Sequence, residues 1–73
     1  MKEALKVAQE IINNRKAIKL SHSDRFIRDR KKHIAVLKKD LMSYCFYKQL
    51  SYQDIMKQAK RIDEEKARQN GKD

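Results

Sequence analysis

Apolar residues along this 73-residue chain recur at helical rather than strand spacing. In the first segment Ala4, Leu5, Val7, Ala8, Ile11 and Ile12 share one side of a 3.6-residue period, with Lys2, Lys6, Gln9 and Glu10 on the other. That pattern predicts a helix with one buried face. Asn13 and Asn14 set its expected end near residue 14, because asparagine tolerates left-handed backbone and competes for local hydrogen bonds. Ile18 continues the row of Val7 and Ile11, so the alternative is a helix that runs to about residue 18.

A second helix is expected over residues 23–49. Ser21 or Ser23 can cap it, and Asp24 suits the positive end of its dipole. Ile27, Ile34, Leu37, Leu41 and Tyr44 then follow at steps of about seven, three, four and three, a heptad-like seam. From residue 41 to 47 the apolar groups Leu41, Met42, Tyr44, Cys45, Phe46 and Tyr47 surround the helix, as in a segment buried between two neighbours. A third helix is expected over residues 52–68, burying Tyr52, Ile55, Met56, Ala59 and Ile62. Beyond Ile62 it turns almost wholly polar, and residues 69–73 are expected to fray.

The entrance to that third helix is the sharpest local signal. Ser51 is placed as N-cap, Asp54 as its reciprocal partner three residues on, and Leu50 against Ile55 as a hydrophobic staple. Leu50, Ser51, Tyr52, Gln53, Asp54 and Ile55 also resemble the opening of the first helix in the helix-turn-helix of sigma-type transcription factors. That resemblance implies a tight turn and a recognition helix. Met56, Lys57, Gln58, Ala59, Lys60 and Arg61 instead continue the helical run without a glycine, so the likeness covers six residues that capping and stapling already explain.

The expected architecture is all-α: one small three-helix domain over residues 1–73 with a long central helix. Helix 2 is its spine, and helices 1 and 3 are expected to cover the 41–47 end. A domain this small buries a modest fraction of its surface, which makes a homo-oligomer one way of completing the fold. Absence of proline, a single glycine and 40% charged residues fit helices throughout. Cys45 is alone, which excludes an internal disulfide, and reads as a small buried hydrophobe. No apolar run approaches the roughly 18 residues of a membrane span and no leader pattern is evident, so a cytoplasmic protein without membrane contact is expected.

Charge changes the picture most. Residues 15–39 hold ten Lys/Arg against two Asp, residues 1–14 two against two, and residues 40–73 seven against six, out of a net charge of +9. Arg25, Arg28, Lys32 and Lys39 fall within about 60° of helical arc opposite the Ile34, Leu37 and Leu41 seam. Lys31 and Lys38 flank the seam's other edge, and Arg15, Lys16 and Lys19 lie just upstream. A row of long cations on a rigid helix suits the regularly spaced charge of phosphates. Charge runs more often only solubilise a surface, but here the imbalance is confined to one stretch between balanced flanks.

Other side chains offer less. Rings at Tyr44, Phe46, Tyr47 and Tyr52 could stack on unpaired bases if exposed, but they coincide with the segment expected to be core. Phe26 is expected either to pack on helix 1 or to stand exposed on the basic helix. Asp29 and His33 are spaced as helical neighbours, yet no nucleophile, glycine loop, cofactor motif or metal-ligand spacing accompanies them, so no enzyme and no cofactor are expected. The leading expectation is a small regulator or accessory factor that contacts nucleic-acid backbone through the basic half of helix 2. The alternative is an adaptor or inhibitor docking that helix on an acidic surface of a larger protein.

Overall fold

Cap chemistry and apolar spacing together produce three helices, α1 (Lys2–Leu20), α2 (Asp24–Lys48) and α3 (Tyr52–Asn70), in the computed structural model, which describes residues 2–70. The fold is the expected small all-α three-helix domain. α3 keeps helical backbone to Asn70, and residues 71–73, the remainder of the expected frayed tail, lie outside the described residues.

Local signals fix the boundaries. Ser23 has extended backbone (φ −92°, ψ 118°), and its Oγ accepts from Phe26 N–H at 3.3 Å, so it is the cap of α2. Ser21 plays a supporting part, its Oγ accepting from Ser23 N–H at 3.2 Å. At the other end Gln49 turns into the left-handed region (φ 58°, ψ 42°), where its N–H donates to Phe46 C=O at 3.3 Å and Leu50 N–H donates to Cys45 C=O at 2.7 Å. Those two bonds are a Schellman stop built without glycine. Ser51 Oγ then accepts from Asp54 N–H at 3.3 Å, with Leu50 half-buried and Ile55 buried, so the cap and staple form, while the expected return bond from Ser51 N–H to the shorter Asp54 carboxylate does not. α3 continues unbroken from there, so the turn and recognition helix implied by the sigma-type likeness do not follow.

Two expectations about the helices are corrected. α1 passes straight through Asn13 and Asn14 and reaches Leu20, beyond both predicted ends. Asn14 is tolerated mid-helix because its amide is satisfied on both sides. Its Nδ2 donates to Glu10 C=O at 2.8 Å, and its Oδ1 accepts from Arg30 Nη1 of α2 at 2.9 Å. The second correction concerns the spine. α1, not α2, is the packing centre: it lies against both other helices, whereas α2 and α3 meet sparsely. The apolar arc of α1, from Val7 through Ile11, Ala4 and Ala8 to Ile12 and Leu5, spans about 160°, wide enough for two neighbours. The α2 seam spans about 100° and serves one.

The fully buried core is small and sits at the end where all three helices meet: Ala4, Ala8 and Ile11 from α1, Leu41 and Cys45 from α2, and Ile55 and Ala59 from α3. Ile34, Leu37 and Tyr44 pack around it from α2, and Leu50, Tyr52 and Met56 from the start of α3. Cys45 is a buried hydrophobe as expected, and desolvation pushes its thiol pKa up, away from thiolate chemistry. The segment from 41 to 47 is not buried all round, however. Phe46 and Tyr47 are 88% and 82% exposed, because α3 packs on α1 and leaves the outer side of α2 uncovered. The Cα atoms fill a slab of 37 × 34 × 15 Å. Its accessible surface of 6185 Å² exceeds the about 4,800 Å² expected of a compact chain of this length.

Candidate nucleic-acid interface

α2 is held to α1 along one side only, which turns the opposite side wholly to solvent. Arg25, Arg28, Lys32 and Lys39, the four residues whose helical angles converge there, are all exposed. At 1.5 Å rise per residue the row extends about 21 Å from Arg25 to Lys39. Asp24 and Asp29 are the only carboxylates among residues 15–39, and neither forms an ion pair. Among the described residues the one ion pair joins Lys16 to Asp63, so the cations of the α2 row face water without a carboxylate partner.

The nine basic residues singled out in the sequence therefore separate into groups. Arg25, Arg28, Lys32 and Lys39 form the row, and Lys31 and Lys38 are exposed on its flank. Arg15, Lys16 and Lys19 belong to a different surface. They line an open groove of about 370 Å³ between α1 and α3, opposite Lys60, Asp63 and Glu64. There the positive charge is partly answered by carboxylates, most directly through the Lys16 and Asp63 pair.

Arg30, one more cation of the basic stretch, has a structural role that its position in the sequence does not reveal. Its guanidinium donates to Asn14 Oδ1 and lies 5.0 Å from the centroid of the Phe26 ring. Phe26 is half-buried beneath that cation rather than standing free. The rings that do stand free are Phe46 and Tyr47, the latter with Lys48 Nζ 5.9 Å from its centroid. Sequence reasoning placed both in the core. Their helical angles, outside the 100° seam, were the signal that they are not.

His22 and His33 are exposed, and the spacing of Asp29 and His33 does not yield an ion pair. Among the described residues no three His, Cys, Asp or Glu side chains converge as metal ligands, and no helix is long and apolar enough to cross a membrane. No family model, curated protein or solved structure matches the chain.

Proposed function

We propose that this protein is a non-enzymatic accessory or regulatory factor that binds nucleic-acid backbone through the outer face of α2. The observation that carries the reading is the row of Arg25, Arg28, Lys32 and Lys39, exposed, of one sign, and without an ion-pair partner. Long flexible cations on a rigid helix neutralise phosphates and release condensed counterions, an affinity that is insensitive to sequence and falls steeply with salt. The scaffold supports this use: the row occupies the side of α2 that no other helix covers, so binding needs no rearrangement of the core.

A gel shift against unrelated DNA and RNA tests the reading. Retention of both at low salt, lost steeply as salt rises, is the expected result. No retention near physiological salt, together with capture of one dominant acidic protein from a nuclease-treated lysate, would replace it with docking on a protein surface.

A further inference from the structure

Phe46 is 88% exposed on a chain whose buried core contains no aromatic ring, and it stands in line with the cations rather than apart from them. It lies within about 20° of Lys39 around the helix and about 10 Å further along it, and five full turns beyond Arg28 at nearly the same angle. Tyr47, 82% exposed, and Met42, 50% exposed, border it on either side. Leaving such side chains in water forgoes stabilisation that burial would bring. The outer face of α2 is thus composite: cations over its first two thirds, then a ring platform at its C-terminal end.

We infer that this face binds an unpaired strand of nucleic acid, with phosphates along Arg25, Arg28, Lys32 and Lys39 and a base stacked on Phe46, Tyr47 forming its border. The inference rests on the phosphate-binding reading of the same row and names its substrate class. An unpaired strand supplies both chemistries the face offers, a flexible line of phosphates and free π-faces. A duplex supplies only the first, because its bases are already stacked on one another. A second copy of the chain would bring its own cation row against this one, which a net charge of +9 disfavours. An acidic protein surface answers the cations but gives the ring no specific partner. The distance from Arg25 to Phe46, about 32 Å along the axis, leaves room for several nucleotides on one side of one helix.

The chain has no tryptophan, so Phe46→Trp installs the sole tryptophan at the platform, excited selectively beyond the absorption of the tyrosines, while keeping a stacking ring. Titration with a short mixed-sequence single strand, as DNA and as RNA, and with the matching duplex reads the site directly. Quenching by the single strands and not by the duplex is expected, and a response to only one of the two single strands identifies the sugar that the site accepts. In parallel, Phe46→Ala with Tyr47→Ala should weaken single-strand binding by about 5- to 100-fold, leave duplex binding and the melting curve unchanged, and recover when Phe46 is Trp. Unchanged single-strand affinity in the alanine variant, absence of quenching in a variant that still shifts nucleic acid, or retention on phosphatidylserine vesicles that depends on Phe46 in a chain with no preference for single strands, would each overturn the stacking role while leaving the cation row in place. Failure of the parent to bind any nucleic acid would remove both.

Discussion

The two ends of this molecule are held by different forces. Where the start of α1, the end of α2 and the start of α3 converge, the packing is apolar and closed: Ala4, Ala8, Leu41, Cys45, Ile55 and Ala59 are each at most 2% exposed. At the opposite end α1 is joined to its neighbours by polar links, Asn14 to Arg30 of α2 and Lys16 to Asp63 of α3. The small alanines of the closed end let helices approach; the open end carries the unbalanced charge. A domain with so small a core cannot spread stability evenly, so structure is concentrated at one end and the cation row extends along the side of the helix that leads to the other.

This division can be broken by substitution, and the closed end should give the largest effect. Leu41→Ala removes the side chain around which the three helices meet and should cost about 2–5 kcal/mol, a large fraction of what a small domain has. Chemical denaturation followed by circular dichroism measures it. A melt and midpoint equal to the parent's would mean that Leu41 is not core and that the closed end is wrongly located.

Asn14→Ala acts at the open end and should cost less, about 1 kcal/mol. Removal of the hydrogen bond to a charged group is partly offset by the better helix propensity of alanine. Faster amide hydrogen exchange in the first turns of α2, with exchange around Leu41 and Cys45 unchanged, is the expected signature. An effect spread uniformly over the chain would show that the two ends are not energetically distinct. Lys16→Gln should matter least. The pair with Asp63 is half exposed on the lysine side, at 52%, and surface pairs contribute about 0–1 kcal/mol. Whatever contribution exists should shrink as salt is raised.

Much of this was legible in the sequence because it is local. Ser23 and Ser51 cap where their neighbours predict, and Leu50 with Ile55 marks the start of α3. Ile27, Ile34, Leu37, Leu41 and Tyr44 are all at least half-buried. What misled was non-local. Asn14 reads as a helix end until Arg30, sixteen residues away, is known to satisfy its amide. Phe46 and Tyr47 read as core because the segment is apolar by composition, yet composition does not say that a neighbour covers each side. The identity of the central helix was available from arc width: the broad apolar arc of α1 needs two partners and the narrow seam of α2 only one. The position of the four-residue row opposite the seam needed no such information, since one helix fixes it.

The proposed function requires that the α2 row, and not charge in general, meet phosphate. α3 supplies the control, for it is also exposed and charged but mixed, with five cations against four carboxylates where α2 has eight against three. The decisive measurement is the slope of log K against log salt for duplex DNA with the parent, with Arg25, Arg28, Lys32 and Lys39 all changed to Gln, and with Lys57, Lys60, Arg61 and Lys66 all changed to Gln. The α2 variant should melt as the parent does, bind every sequence tried more weakly, and show a slope smaller by up to about 0.9 for each phosphate that is no longer neutralised. The α3 variant should retain most of the parent's slope. Equal reductions from both helices, or a folded α2 variant that binds with the parent's slope, would contradict the proposed function.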